Sequence, residues 1–329
     1  MKRVWLTAAA AVLALSVLTG CSGTGELPDS QPASRPNGGT SSSSSATGSN
    51  ASSSGSSSSS SNSSSASSKD NGASSASSST AASSKPEETT PWKYQGSGSS
   101  VTITGYDGEL AGDVTIPSKI GDDTVIAIGN NAFKGNMKIT SVTIPEGVIR
   151  IGMGAFQECR QLARVTLPST LTNIGNYAFF CEDSLTTLTI PGSVKEIGDH
   201  TFSGCKNLKT LTLQEGVERI GNCAFSGCES LTEVNLPSTL NYIETLAFAT
   251  CKNLEQIVIP ENSKGQETVM QHCAFQYCQK LKKVYFPKTL KKIDNPFTFM
   301  TSVDYIYYGG TKEDWAKINI TDGSINSMT

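Results

Sequence analysis

The chain has 329 residues and a formal net charge of −3, with 26 lysines and arginines against 29 aspartates and glutamates. This near balance excludes the broad basic excess that is typical of nucleic-acid-binding proteins. The composition changes sharply along the chain, so the segments differ in what they predict.

Residues 1–20 have the pattern of a secretory signal peptide. A lysine and an arginine follow Met1, and residues 4–18 are largely apolar. This run is shorter than the about 20 residues that a transmembrane helix needs. The sequence Leu18-Thr19-Gly20-Cys21 resembles a bacterial lipobox, in which cleavage precedes a cysteine that carries a lipid. We therefore expect lipidation of Cys21 and anchoring to the extracellular face of a bacterial cell membrane; the alternative is a simple signal peptide with a chance cysteine.

Residues 21–91 contain the lipidated cysteine followed by a predicted linker. Serine dominates this segment, with glycine, alanine, threonine and asparagine, and large apolar residues are almost absent. Such a segment cannot bury enough apolar surface to offset the entropy lost on ordering, which predicts a disordered tether. Its root-mean-square span as a flexible coil would be roughly 45 Å.

An internal repeat begins after the linker. Phenylalanines recur 23 residues apart, with a final interval of 27 residues, and self-similarity at a fixed period of this size predicts a solenoid. The repeated positions are Phe133, Phe156, Phe179, Phe202, Phe225, Phe248 and Phe275.

Each repeat contains the pattern of one short strand. Apolar residues alternate with polar ones, as in Leu188 and Ile190, and many of them are β-branched. A proline such as Pro191 then ends the strand, because it lacks a backbone donor; only Gln214 departs from this within the series. A second apolar pair and a glycine follow, and the glycine is interpreted as the residue of a tight turn. The Ala-Phe pair is predicted to lie in a helical turn.

Cysteines recur once per repeat and are interpreted as a ladder of buried, unpaired thiols. The predicted ladder is Cys159, Cys181, Cys205, Cys228, Cys251 and Cys278, with Cys223 and Cys273 as additional cysteines. Disulfides are the usual expectation in an exported chain, but ladder side chains point in the same direction and do not meet the geometry of a disulfide.

The residues for catalysis or metal binding are sparse. The two histidines, His200 and His272, fall at different positions in different coils, and no CxxC pair is present. The acidic residues of 107–113 and the pair Asp122-Asp123 lack the spacing of a calcium loop. We therefore predict no enzyme, no cofactor and no metal site.

The pattern L-x-x-V-x-I-P-x-x-V-x-x-I-G-x-x-A-F-x-x-C, over about residues 110–302, resembles the BspA-like, or treponemal-type, leucine-rich repeats of bacterial surface proteins. The resemblance implies a right-handed leucine-rich repeat solenoid with a concave parallel β-sheet and short turns or helical turns on the other side. It also implies a surface protein used in binding or adhesion. Departures at both ends indicate an N-terminal cap at 92–137, repeats at 138–302 and a C-terminal cap at 303–329. The cap elements are an opening strand within 92–106, a last strand at 305–308 and a closing helix within 311–318.

The residues between the buried strand positions should face outward on the concave side, where we place the candidate binding surface. They are Ser141, Thr143, Arg164, Thr166, Thr187, Thr189, Thr210, Thr212, Glu233, Asn235, Gln256, Val258, Lys283 and Tyr285. Lysines crowd the last full coil and suggest a basic rim that could meet an anionic polymer or an acidic protein, although a merely soluble end is equally compatible with them. The rim lysines are Lys288, Lys291 and Lys292, near Lys280 and Lys282.

These features predict a lipid-anchored, tethered and non-catalytic binding or adhesion module at the cell surface, monomeric, with a protein or glycan partner and no nucleic acid. A structural scaffold or spacer of the cell envelope is the alternative, and a wall or glycan hydrolase is a third possibility.

Overall fold

The computed structural model describes residues 91–96, 98–297 and 303–321. The predicted signal peptide, Cys21 and almost all of the Ser-rich linker lie outside these residues. Strands are numbered in chain order, and they form two faces of a parallel solenoid.

The first face, called the front face, consists of the strands that the repeat pattern predicts. They are β3 (Gly112–Thr115), β6 (Ile139–Thr143), β8 (Arg164–Thr166), β10 (Thr187–Ile190), β12 (Thr210–Leu213), β14 (Glu233–Asn235), β16 (Gln256–Val258), β18 (Lys283–Phe286) and β20 (Tyr305–Tyr308). Each one pairs in parallel with a strand one coil away, as Leu188 does with Leu211.

A second sheet lies on the other side of the coils. Its strands are β1 (Trp92–Gly96), β2 (Ser100–Tyr106), β4 (Lys119–Ile120), β5 (Asp123–Ile128), β7 (Arg150–Ile151), β9 (Asn173–Ile174), β11 (Glu196–Ile197), β13 (Arg219–Ile220), β15 (Tyr242–Ile243), β17 (Thr268–Met270), β19 (Leu290–Ile293) and β21 (Asn319–Ile320). The sequence analysis missed this sheet, because two-residue strands leave no alternation to detect. Its buried isoleucines, such as Ile174 and Ile197, stack from coil to coil.

The Ala-Phe pairs lie in turns that do not extend into helices. Bonds within the turn alternate with bonds to the next coil: the N–H of Ala155 donates to the carbonyl of Gly152 at 3.3 Å, whereas the N–H of Phe156 donates to that of Ala178 at 2.8 Å. The predicted superposition of the phenylalanines is correct. From Phe133 to Phe275 their rings stack with centroids 4.8–5.7 Å apart and planes within 3–13°. These rings form the centre of a continuous apolar core.

The glycine after each second-sheet strand serves close packing between coils. The φ angles of Gly152, Gly175, Gly198 and Gly221 are not in the positive range, so the predicted tight turn does not explain them. A Cβ atom at Gly175 would lie 2.6 Å from the backbone nitrogen of Met153 and 2.7 Å from the carbonyl carbon of Gly152. Glycine is therefore needed because two backbones approach each other more closely than a side chain allows.

The cysteine ladder is present, but Cys181 does not occupy the ladder position that was predicted for it. Each ladder thiol donates to the carbonyl oxygen of the phenylalanine in the preceding coil, at 3.1–3.5 Å. Cys181 lies one residue out of register, at a position with a left-handed φ of 60°, and its side chain is buried. Glu182 occupies the ladder position instead and is fully buried. The other seven described cysteines, including Cys223 and Cys273, are buried and form no disulfide.

Both ends of the solenoid carry caps. The predicted opening strand is a hairpin of β1 and β2, which pair antiparallel and place Tyr106 on Phe133 at 5.8 Å. The last strand lies at Tyr305–Tyr308 as predicted. The closing helix is a single turn, α1 (Lys312–Trp315), with Thr311 as its N-cap. In the described residues no helix has the length and apolarity to cross a bilayer.

Candidate functional site

The outward side chains of the front face form two rows, because parallel pairing aligns the same strand position in successive coils. The first row is Asp113, Ser141, Arg164, then Thr187, Thr210, Glu233, then Gln256, Lys283, Tyr305. The second row is Thr115, Thr143, Thr166, then Thr189, Thr212, Asn235, then Val258, Tyr285, Tyr307. The structure thus brings all the predicted front-face residues together on one surface.

The front face is divided into three sheets of three strands, β3-β6-β8, β10-β12-β14 and β16-β18-β20. We call the two interruptions seams. At the first seam, β8 and β10 share no ladder, and Val165 and Leu167 are only half-buried, whereas Leu188 and Ile190 on the far side are at most 2% exposed. The second seam follows β14 three coils later, with Val234 and Leu236 half-buried in the same way.

Glutamates that follow the strand-ending proline link some neighbouring coils of the front face. Glu146 bridges to the next coil, where its carboxylate accepts from the backbone N–H of Ser169 at 2.9 Å and from its hydroxyl at 3.0 Å. The same bonds join Glu215 to Ser238, and Glu261 accepts from the N–H of Lys288 at 2.9 Å. Gly192 replaces this bridge by close backbone packing on Glu215. Ser169 occupies this position at the first seam; at the second seam, the carbonyl oxygen of Ser238 accepts from the N–H of Ser263 at 2.8 Å.

These bonds also affect the titration of the bridging carboxylate. The N–H of Ser169 favours the charged form of Glu146 and lowers its pKa. The bridge is therefore present at neutral pH, where the carboxylate is ionised.

The first seam opens into a groove with a volume of ≈ 430 Å³. Half-buried aliphatic side chains and exposed hydroxyl groups line it together. The lining residues are Glu146, Val165, Thr166, Leu167, Ser169, Thr187, Thr189, Pro191 and Gln214. The groove offers apolar contact and neutral hydrogen-bonding groups at one place on the front face.

The first two thirds of the front face satisfy most of their charges locally. Asp113, which the sequence analysis missed, accepts from the hydroxyls of Ser141 at 2.6 Å and Thr140 at 3.2 Å, and these bonds lower its pKa. Arg164 lies 3.8 Å from the same carboxylate. In the middle third, the amide of Asn235 donates to Glu233 at 3.2 Å.

The last third carries tyrosines. The rings of Tyr285 and Tyr307 stack with centroids 4.5 Å apart and planes 8° from parallel, and the ring of Tyr305 lies 6.3 Å from that of Tyr307. Val258, in the same row, is 49% exposed. The sequence analysis missed Tyr305 and Tyr307 as surface residues. Their alternation with buried Ile306 was the available signal, but the irregular spacing of the last coil concealed their register.

The predicted basic rim is divided between two sheets. Lys283 lies on the front face, and Lys288 follows the end of β18. Lys291 and Lys292 belong to β19 of the second sheet, where Lys292 pairs with Asn319.

The residues that catalysis would require are in structural roles. His200 stacks on Tyr177 at 4.8 Å, and burial lowers its pKa. Cys223 takes the equivalent position in the next coil, and burial raises its pKa to about 11, so its thiol is neutral at physiological pH. His272 lies 3.5 Å from Asp294. In the described ranges no three His, Cys, Asp or Glu side chains converge as a metal site would require.

Comparison with known proteins identifies the repeat. The profile of the BspA type leucine rich repeat region matches residues 126–220 and 209–314 in six copies. A search of proteins with curated functions returns no match.

Solved structures of bacterial repeat proteins are similar to the chain. The leucine-rich repeat protein TpLRR of T. pallidum is 29% identical, with 50% of this chain and 88% of that chain covered and a TM-score of 0.42. A leucine rich cell surface protein from Faecalibacterium prausnitzii is 19% identical, with 71% and 97% covered and a TM-score of 0.37. The pneumococcal vaccine antigen PcpA is 17% identical, with 72% and 93% covered and a TM-score of 0.29.

Proposed function

Because the chain belongs to the BspA-type leucine-rich repeat family, we propose that it is a non-catalytic binding or adhesion module that engages a protein or glycan partner through its front face. Solenoids of this class generally use an extended sheet surface for binding. The observation that carries the proposal is the difference between the two sides of each strand: the buried side is nearly constant, whereas the outward rows change from coil to coil.

The surface chemistry supports binding. The first seam supplies a groove of ≈ 430 Å³ with apolar and hydroxyl groups, and the last third supplies exposed aromatic side chains. The groove lining is mainly polar, so it would orient a partner by hydrogen bonds beside the apolar contacts of Val165, Leu167 and Pro191. A mere spacer would need neither an open groove nor tyrosines on its surface.

The proposal places the module outside the cell, held by a lipid on Cys21 and extended from the membrane by the Ser-rich linker. The lipobox and the composition of residues 21–91 support it. Replacing Cys21 by Ala should release the exported protein from the membrane fraction into the medium. If the variant remains in the membrane fraction after export, anchoring through this residue is wrong.

A binding screen tests the function. The purified full-length protein is applied to arrays of host matrix proteins, glycans and cell-wall polymers, beside a front-face variant, Thr189→Arg with Thr212→Arg. A variant with the same charge change on the second sheet, Asn173→Arg with Asn319→Arg, is the control, since both residues are exposed there. We expect only the front-face variant to lose a partner that the wild type binds.

Three other results contradict the proposal in different ways. Equal loss in both variants would remove the front face as the binding surface. The absence of any specific partner would favour the scaffold or spacer. Turnover of an arrayed glycan or wall polymer would favour a hydrolase.

A further inference from the structure

The last third of the front face has an aromatic centre, which we call the tyrosine patch: Val258, Tyr285, Tyr305 and Tyr307. Pairing between β16, β18 and β20 places these side chains on one surface, with Val258 beside Tyr285 and Tyr285 beside Tyr307. Val258 is exposed and the tyrosines are half-buried, so part of each ring is accessible. Isolated exposed apolar residues are ordinary on a protein surface, whereas a contiguous aromatic group marks a contact site.

The rings are held in place before any partner arrives. Tyr285 and Tyr307 stack almost parallel at 4.5 Å, close to the spacing of about 4.8 Å between neighbouring strands. The ring planes therefore stand across the direction that leads from strand to strand. Their edges and hydroxyl groups are left to point outward, and little side-chain entropy remains to be lost on binding.

Polar and charged residues surround this centre. Glu255, Lys282 and Asp304 occupy the same place in three successive coils, where backbone bonds join Lys282 to both neighbours, so their charges alternate. Lys283 differs, because its row neighbours are Gln256 and Tyr305. Within the described residues, Lys283 makes no ion pair. An aromatic centre with a polar rim is typical of a protein–protein interface. Lys283 is a cation of this rim whose charge its row neighbours do not balance.

We propose that the tyrosine patch and Lys283 bind an extended polypeptide segment in which aliphatic or aromatic anchor residues flank an acidic residue. The acidic residue pairs with Lys283, and the anchors cover Val258 and the exposed tyrosine edges. The inference rests on the proposed function and names the class of partner for this part of the front face.

The orientation of the rings favours a polypeptide over a carbohydrate. A sugar ring packs best on an open aromatic face, but the facing sides of Tyr285 and Tyr307 are covered by each other. The outward ring edges carry partial positive charge and the hydroxyls donate hydrogen bonds, so both favour carbonyl and carboxylate oxygens. An extended peptide supplies such oxygens at regular intervals, together with apolar side chains.

Selection from a displayed library of random dodecapeptides on the full-length protein tests the proposal. We expect the selected peptides to share an acidic residue next to apolar ones. Tyr307→Ala should weaken their binding by at least about 10-fold, as for a residue at an interface hot spot. Tyr94→Ala, which truncates an exposed tyrosine of the N-terminal hairpin outside the front face, is the matched control and should change binding by less than about 2-fold.

A charge exchange tests the role of Lys283. Lys283→Glu should weaken binding of the selected peptides by about 10-fold. A peptide whose acidic residue is replaced by lysine should bind the Lys283→Glu variant more tightly than it binds the wild-type protein. Unfolding by urea, followed in parallel, should be unchanged in Lys283→Glu because this side chain is exposed.

The inference is wrong if selection yields no binder, if the selected peptides lack acidic residues, or if Tyr307→Ala and Tyr94→Ala weaken peptide binding equally. Binding of polygalacturonate, an acidic polysaccharide, at Lys283 and Tyr307 without peptide binding would replace the polypeptide by a glycan. Failure here would leave the proposed function intact wherever the Thr189→Arg, Thr212→Arg variant still loses a partner from the arrays.

Discussion

The inside of the coils and the front face are built from the same strands, yet they vary in opposite ways. Inside, seven successive coils place a phenylalanine at one position, and each of these rings is at most 1% exposed. Outside, one row passes from Asp113 through Thr210 to Lys283. Adjacent side chains of one strand are therefore under different constraints.

The difference follows from what each residue touches. An interior ring must fit the coil before it and the coil after it, because the stability of a solenoid is the sum of such nearest-neighbour contacts. An outward side chain meets mainly solvent and its row neighbours. Variation is tolerated there, and binding specificity can arise without loss of the fold. Four variants test this division.

Truncation of the phenylalanine ladder should have the largest effect. Phe202→Ala leaves a cavity in a central coil, between the rings of Phe179 and Phe225, and we expect the free energy of unfolding to decrease by about 3–5 kcal/mol. Urea denaturation followed by circular dichroism measures the change. The same substitution at half-buried Phe180 is the control and should cost less than half as much. Equal costs would show that the ladder has no special place in the core.

A methyl group between two coils should have the next largest effect. Gly175→Ala places a Cβ atom 2.6 Å from the backbone nitrogen of Met153, so the coils must separate, at a cost of about 1–3 kcal/mol in the free energy of unfolding. Gly105→Ala is the control, because a Cβ atom there meets its nearest neighbour at 3.7 Å. Similar urea midpoints for the two variants would contradict the close-packing role of the glycine.

Glu182 is an ionisable residue at a buried position of the cysteine ladder. Its replacement by glutamine tests how the interior of the coils tolerates such a group. One carboxylate oxygen accepts from the N–H of Cys159 at 3.1 Å, and the other has no hydrogen-bond partner. Burial raises the pKa of Glu182 well above its usual value. In the unfolded chain Glu182 loses its proton above the usual glutamate pKa of about 4.3, whereas in the folded protein it keeps the proton up to the raised pKa. The free energy of unfolding therefore decreases as the pH rises between these two pKa values.

Glu182→Gln stays neutral at every pH. We expect it to match the wild type near pH 4 and to exceed it by about 1 kcal/mol near pH 8 in urea unfolding. The exposed Glu255→Gln serves as the control and should show no such trend. A wild-type advantage that grows with pH would contradict a raised pKa for Glu182.

Removal of hydroxyl groups on the front face should have the smallest effect. Thr187 and Thr189 are exposed and line the groove, and valine keeps their shape and β-branching. The double substitution Thr187→Val, Thr189→Val should change the free energy of unfolding by less than about 0.5 kcal/mol. A loss comparable to that of Phe202→Ala would mean that the front face is part of the stabilising structure and not a free surface.

The sequence alone determined the repeat, the front-face strands and the last strand at Tyr305–Tyr308, because alternation and a fixed period are local signals that every coil reinforces. It also separated inward from outward residues, as Leu188 and Thr189 illustrate.

Contacts between coils decided the rest, because no single repeat contains them. They created the second sheet from two-residue strands, gave Gly175 its role in close packing and placed Glu182 in the ladder in place of Cys181. They left seams in the front face between β8 and β10 and between β14 and β16. They also brought Tyr285 and Tyr307 into one stack, since register across an irregular spacing is fixed only when the strands pair.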